Sequence, residues 1–233
     1  GCNKLTTLYV PAAAEFVPNS IAKFGTLTEI VVEDGNSRYF SDHGVLYERT
    51  EEDGQLLHTY PRAKADEGYA ILEGTKTVGK DAFGDNKLLT KVTMPESLEV
   101  IKQAAFAYCY GLTEIVLGKN VHTLEYDAFY DCNNMTSFTL SEKLTPETVN
   151  DSVVGGSEKL TTLYVPATAE YAPPSLYRHS ALENIFVIDE AGNRDALGVA
   201  YFSSDGVLFS ADGMTLIQIP TAKQITEYVI PET

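Results

Sequence analysis

Three stretches of the chain repeat one pattern at a fixed interval: residues 81–94 are DAFGDNKLLTKVTM, residues 104–117 are AAFAYCYGLTEIVL, and residues 127–140 are DAFYDCNNMTSFTL. The Phe of each Ala-Phe pair lies 23 residues after the previous one, and the apolar residues that follow keep the same step. A period of this length is typical of a solenoid, in which each unit buries its apolar face only against its neighbours. The pattern therefore predicts a repeat fold with the three Phe side chains stacked inside it.

Each unit also has the L-x-x-L-x-L spacing, as in Leu112, Ile115 and Leu117. Alternation along a strand points these residues inward and the residues between them outward, onto what we call the open strand face. One outward position, just after the second inward residue, forms a row that is aromatic or apolar at both ends and small in the middle. This candidate ligand-binding row consists of Tyr9, Val31, Thr93, Val116, Thr139, Tyr164 and Phe186.

Two explanations of the row remain open. Exposed aromatic side chains on one face of a solenoid are typical of protein or sugar contacts. Alternatively, residues that favour strands simply fill these positions and pack sideways on one another.

A second, larger duplication encloses the 23-residue repeats, since residues 156–175 match residues 1–20 at 14 of 20 positions. Two runs that favour strands, 38–47 and 55–61, surround a polar turn and predict an inserted β-hairpin. We interpret the chain as one solenoid and as part of a longer protein. Its segments are two repeats (1–35), a hairpin insert with re-entry (36–80), three repeats (81–155), a duplicate of the first two repeats (156–188) and a duplicate of the insert (189–233).

The cysteines are odd in number and follow the repeat, so they do not indicate a disulfide framework. Cys2, Cys109 and Cys132 occupy equivalent positions, three residues before the first inward residue of a strand. Stacking brings Cys109 near Cys132, so a disulfide is conceivable. We favour buried reduced thiols, because cysteine packs as a small apolar residue.

Charge and motifs exclude several function classes. The chain has 33 acidic against 17 basic residues, a net charge of −16, which argues against nucleic acid and anionic membranes as partners. No apolar run is long enough to predict membrane insertion. The sequence has no zinc-ligand spacing, nucleophile elbow or nucleotide loop, so we predict no catalytic residues, no metal site and no cofactor.

The pattern resembles the BspA-type leucine-rich repeats of bacterial surface proteins. The resemblance is carried by A-F-x-x-C-x-x-L-T-x-I-x-L at residues 105–117, and by Y-F-S-x-D-G-V-L-[YF] at residues 39–47 and 201–209. His43 replaces the Asp of that second motif, and Asn86 and Ser157 replace the Cys of the first. The resemblance implies a β-rich α/β leucine-rich repeat solenoid that is right-handed and has one parallel strand per repeat.

It also implies a secreted or cell-surface location and a role in adhesion. We therefore expect a non-catalytic module that binds a protein or glycan macromolecule of a host or a bacterium through the open strand face. One alternative is a structural spacer that displays another domain. The least favoured alternative is a glycan-binding or glycan-processing protein.

Overall fold

A computed structural model describes residues 4–51, 54–150 and 152–231, so the predicted repeat position of Cys2 lies outside the described residues. The chain forms a β-solenoid of about eight turns. Its strands, in chain order, are β1 (Thr7–Val10), β2 (Glu29–Val32), β3 (Tyr39–Asp42), β4 (Val45–Thr50), β5 (Gly54–Thr59), β6 (Gly68–Ala70), β7 (Thr75–Val78), β8 (Lys91–Thr93), β9 (Val100–Ile101), β10 (Glu114–Val116), β11 (Thr123–Leu124), β12 (Ser137–Thr139), β13 (Thr162–Pro166), β14 (Asn184–Ile188), β15 (Tyr201–Ser204), β16 (Val207–Ser210) and β17 (Leu216–Gln218).

Helix is almost absent, which corrects the α/β class expected from the resemblance. Within the described ranges the structure has one four-residue α-helix, α1 (Pro174–Tyr177), and one 3-10 helix (Asn19–Lys23). The segments that join the strands turn instead through positive φ, at Asp85, Tyr108 and Asp131 in successive repeats. A left-handed residue interrupts an α-helix, so these segments form turns.

Strands β1, β2, β6, β8, β10, β12, β13 and β14 line the open strand face. They form parallel ladders in three groups, β1–β2, β6–β8 and β10–β12–β13–β14. A second sheet lies in the order β11–β9–β7–β5–β4–β3, and its strands β7, β9 and β11 are also parallel. The first two regular repeats thus contribute two strands each, where one was expected, because pairs such as Val100–Ile101 also favour extended backbone. The third repeat contributes β12 and a single bridge from Val149 to Leu124.

The inserted segment has three antiparallel strands. Its first predicted run, 38–47, is two strands, because a turn at His43-Gly44 with φ of +48° and +79° reverses the chain. Two successive residues at positive φ form the tight turn that matches the twist of paired strands. The later copy repeats this turn between β15 and β16, and β17 pairs with β16.

The interior is a stack of equivalent residues from successive turns, as the sequence predicted. Phe83, Phe106 and Phe129 are fully buried, with ring centroids 4.6 Å and 5.0 Å apart and nearly parallel planes. Cys109 and Cys132 are buried free thiols. The Sγ of Cys109 donates to the Phe83 carbonyl oxygen at 3.1 Å, and the Sγ of Cys132 donates to that of Phe106 at 3.2 Å. Burial raises the pKa of Cys132 to about 12, which keeps the thiol protonated.

Candidate ligand-binding face

Four of the seven predicted row residues form one continuous line. The strand register places Val116 beside Thr139, Thr139 beside Tyr164 and Tyr164 beside Phe186. Their strands alternate buried and outward residues, so these four side chains share the outward side. Val116 has 54% of its surface exposed although it is apolar. We call these four residues the β10–β14 row.

Of the other three residues, Thr93 lies beside Val116 and lines one hollow with it, and only Tyr9 and Val31 lie apart from this row. Tyr9 pairs with Val31 on β1 and β2, and Tyr9 is 73% exposed. Thr93 pairs with Ala70 on β6 and β8, and Ala70 was missed because its strand was assigned to the re-entry from the insert. The predicted row of seven therefore spans three ladders, of which β6–β8 adjoins the β10–β14 row and β1–β2 lies apart.

The insert explains the break after β2. The backbone N–H of Ile30, on β2, donates to the carbonyl oxygen of Gly44 at the tip of the β3–β4 turn, at 2.9 Å. The N–H of Val32 donates to the Oγ of Ser41 at 3.1 Å. These bonds use groups that a neighbouring repeat strand would otherwise satisfy, so the ladder ends at β2.

An arginine that the sequence analysis did not single out closes one end of the β10–β14 row. The rings of Tyr164 and Phe186 lie 6.1 Å apart with an interplanar angle of 27°. The guanidinium carbon of Arg194 lies 4.5 Å from the Phe186 centroid and 5.6 Å from the Tyr164 centroid. Its Nη2 also donates to the Tyr164 hydroxyl at 3.0 Å. Arg194 is thus held by stacking and by a hydrogen bond.

The loop that carries Arg194 is itself ordered by Asp189. The Oδ1 of Asp189 accepts from the backbone N–H groups of Ala191 and Asn193 at 2.9 Å and 2.8 Å, and its Oδ2 accepts from the side-chain amide of Asn193 at 2.7 Å. These hydrogen bonds lower the pKa of Asp189, and the bond from the Asn193 side chain contributes most. The carboxylate is therefore satisfied within the loop, which positions Arg194 over the row.

Two adjoining hollows lie along part of the β10–β14 row, and Phe186 lines neither of them. The smaller one, of about 290 Å³, is lined by Val116, Thr139, Tyr164 and Arg194 together with neighbouring side chains. A larger one, of about 750 Å³, shares Thr139 and Ile188 with it. The larger hollow is bordered by charges of both signs: Lys119, Lys143, Glu142, Asp189 and Glu190.

One pair of opposite charges on this face joins neighbouring strands. Glu114, beside the smaller hollow, lies 3.5 Å from the Nζ of Lys91 on β8. Arg194 differs, since no carboxylate oxygen of the described residues lies within 4.0 Å of its guanidinium nitrogens. Its charge therefore faces the smaller hollow without an acidic partner from residues 4–51, 54–150 or 152–231.

In the described part of the chain, no three His, Cys, Asp or Glu side chains converge as a metal site would require. No helix in that part is long and apolar enough to cross a bilayer.

Comparisons with known proteins place this repeat architecture in a family. The sequence model of the BspA-type leucine-rich repeat region matches residues 67–189 in six copies, which is more than half of the chain. The chain belongs to the BspA-type leucine-rich repeat family. A search of the curated proteins finds no match.

Solved structures of several other proteins are similar in fold. The pneumococcal vaccine antigen PcpA is 26% identical with a TM-score of 0.67, over 87% of this chain and 47% of that one. A leucine-rich cell surface protein of Faecalibacterium prausnitzii is 26% identical with a TM-score of 0.68, over 78% and 47%. A leucine-rich repeat protein of Eubacterium ventriosum, at 21% identity and a TM-score of 0.64 over 79% and 49%, supports the fold alone. This chain spans about half the length of each of these structures.

Proposed function

We propose that this BspA-type solenoid is a non-catalytic interaction module of a secreted or cell-surface protein, which binds a macromolecular partner across the β10–β14 row. The observation that carries the proposal is the row itself: Val116, Thr139, Tyr164 and Phe186 lie side by side and outward, and the first three of them line a hollow. Apolar and aromatic side chains presented together on a rigid sheet are the usual anchors of protein interfaces.

The surface location is supported by the names of two similar structures, a vaccine antigen and a cell surface protein. The non-catalytic character is supported by the family, because the leucine-rich repeat fold is typically non-catalytic. We also propose that the solenoid is right-handed, because crossover connections between parallel strands are almost always right-handed.

A binding screen tests the proposal. The chain is immobilised and presented with an array of matrix proteins and glycans, beside a variant carrying Val116→Ala, Tyr164→Ala and Phe186→Ala. We expect the wild type to capture a macromolecule and the triple variant to lose it while it keeps the same circular dichroism spectrum.

Two controls make the screen specific. Tyr126 is also an exposed tyrosine, at 52%, but lies in the turn before the Ala-Phe pair of its repeat, so Tyr126→Ala should leave capture unchanged. The Tyr9→Ala variant tests whether the separate β1–β2 group contributes to capture of the macromolecule. A folded triple variant that binds like the wild type would refute the proposed location, and no binding by either protein would favour a structural spacer.

A further inference from the structure

Arg194 stands in a segment that distinguishes the two halves of the internal duplication. Thirteen residues separate Val187 from Tyr201, whereas six separate their counterparts, Val32 and Tyr39. The extra residues form the loop that places Arg194 over Tyr164 and Phe186. The first half presents Tyr9 and Val31 without such a loop, so the arginine is a feature added to one group of the face.

The geometry of Arg194 is that of a preorganised anion-binding group. Its ring contacts and its bond to the Tyr164 hydroxyl fix the guanidinium before a ligand arrives, which reduces the entropy lost on binding. The guanidinium has no carboxylate partner among the described residues, although the chain has nearly twice as many acidic as basic residues. The planar fork of arginine suits bidentate contact with a carboxylate.

The surroundings decide which kind of carboxylate fits. A sugar ring binds best against a free aromatic face, but the guanidinium of Arg194 already lies over the rings of Phe186 and Tyr164, and Phe186 lines neither hollow. The neighbouring outward positions are instead Val116 and Thr139, which can receive an apolar side chain. Neighbouring strands lie about 4.8 Å apart, so the four strands span about 14 Å, roughly four residues of extended peptide.

We propose that Arg194 is the specificity-determining residue of this face, and that it selects an extended peptide segment of a protein partner in which an Asp or Glu is flanked by apolar residues. The carboxylate binds the guanidinium, and the flanking apolar side chain packs on Val116 and Thr139. This inference rests on the proposed use of the β10–β14 row for binding. The overall negative charge does not prevent it, since charges beyond about 8 Å are largely screened at physiological salt.

Peptide selection tests the inference directly. A phage-displayed library of random twelve-residue peptides is selected on the whole chain, and the enriched peptides are resynthesised and titrated by fluorescence polarisation. We expect an Asp or Glu with apolar neighbours in the enriched set. Arg194→Gln should weaken those peptides by about tenfold to a hundredfold, the size of a charge-assisted hydrogen bond. Arg194→Lys should restore only part of the affinity, because lysine lacks the planar fork.

Matched variants separate this inference from the proposed function. Arg178 also lies over a tyrosine ring, 5.7 Å from the centroid of Tyr177, but directly after α1, so Arg178→Gln should bind as the wild type does. Peptides that lack acidic residues and ignore Arg194→Gln, yet are lost in the triple row variant, would overturn the inference and leave the proposed function standing. Failure to enrich any peptide would overturn the inference. Binding of uronic- or sialic-acid glycans through Arg194 would also overturn it, in favour of a sugar ligand.

Discussion

The two copies of the duplicated unit keep the same backbone contacts while their surfaces differ. In the first copy Ile30 N–H donates to Gly44 and Val32 N–H donates to Ser41. In the second copy Ile185 N–H donates to Gly206 at 2.9 Å, and Val187 N–H to the Oγ of Ser203 at 2.8 Å. In each copy, the same pair of contacts holds the antiparallel strands against the repeat strand that precedes them, which is β2 in the first copy and β14 in the second.

The differences are found where the unit meets solvent or its next neighbour. Tyr47 of the first copy is replaced by Phe209, and Tyr69, 8% exposed, corresponds to the half-buried Tyr228. Only the second copy has the loop with Arg194. The duplication therefore separates what the fold requires from what a binding face can vary, and substitutions at matched positions can test that separation.

The largest effect is expected at the shared interior. Leu46 and Leu208 are matched and both fully buried, so Leu46→Ala and Leu208→Ala should each lower the free energy of unfolding by about 2–5 kcal/mol. Guanidinium denaturation followed by circular dichroism measures this. A neutral result in either copy would show that the two interiors are not equivalent.

A smaller loss of stability, unequal between the copies, is expected at the matched turn glycines Gly44 and Gly206. Both have positive φ, so an alanine is strained in either copy. A Cβ on Gly206 would lie 2.6 Å from the Oδ1 and 3.2 Å from the Cα of Asn184, whereas one on Gly44 would meet the flexible Cγ of Glu29 at 3.1 Å. We expect Gly206→Ala to cost about 1–3 kcal/mol and Gly44→Ala to cost less. Equal melting temperatures for the two variants would contradict this.

The tyrosine pair of the first copy is expected to contribute less again. The hydroxyls of Tyr47 and Tyr69 lie 2.6 Å apart, and the Tyr47 hydroxyl also accepts from Leu72 N–H at 3.3 Å. Tyr47→Phe should cost about 1–2 kcal/mol, because it leaves the buried hydroxyl of Tyr69 without its partner. Adding Tyr69→Phe should cost little more, since removing both partners of a buried bond is nearly neutral. Two fully additive losses in the denaturation free energies would rule out the coupling.

Much of the fold was predictable because interior positions repeat. The 23-residue step of Phe83, Phe106 and Phe129 is the step of their ring stack, and the outward row follows from strand alternation. The short second strands, such as Val100–Ile101, were missed because two residues carry too little periodicity. The three-stranded insert was read as two strands because His43-Gly44 lies inside a continuous run of strand formers.

The candidate site was less predictable. The sequence identified Tyr164 and Phe186 but joined them to Tyr9, because a linear row does not show where a turn of the insert ends a ladder. Arg194 was missed because its importance comes from where the loop folds back, through the Asp189 hydrogen bonds, and an isolated arginine has no spacing to reveal it. The only available sign was the longer segment between the matched strands in the second copy.

The smallest expected effect concerns pH and the first copy alone. His58, 4% exposed, donates from Nε2 to the Val17 carbonyl oxygen at 3.0 Å, and its Nδ1 accepts from the Thr59 hydroxyl at 2.8 Å. Leu216 faces Phe209 in the second copy as Leu57 faces Tyr47 in the first, so the position that matches His58 is Ile217. Isoleucine cannot titrate.

Burial lowers the pKa of His58 in the folded chain, so below about pH 6.5 the unfolded chain binds a proton that the folded chain resists. Stability should therefore fall as pH falls from about 6.5 through the folded-state pKa, with a slope of at most about 1.4 kcal/mol per pH unit for this one proton. His58→Gln, which can still donate to Val17, should flatten part of the decline in melting temperature between pH 7.5 and 5. His179, whose pKa burial also lowers, supplies another part, so His179→Gln is the matched comparison. Hydrogen exchange separates the two sites. His58→Gln should reduce acid-induced opening in residues 7–59 and leave residues 162–218 unchanged. If neither the pH dependence of stability nor the exchange pattern changes in His58→Gln, His58 is not the source of the acid-induced loss of stability.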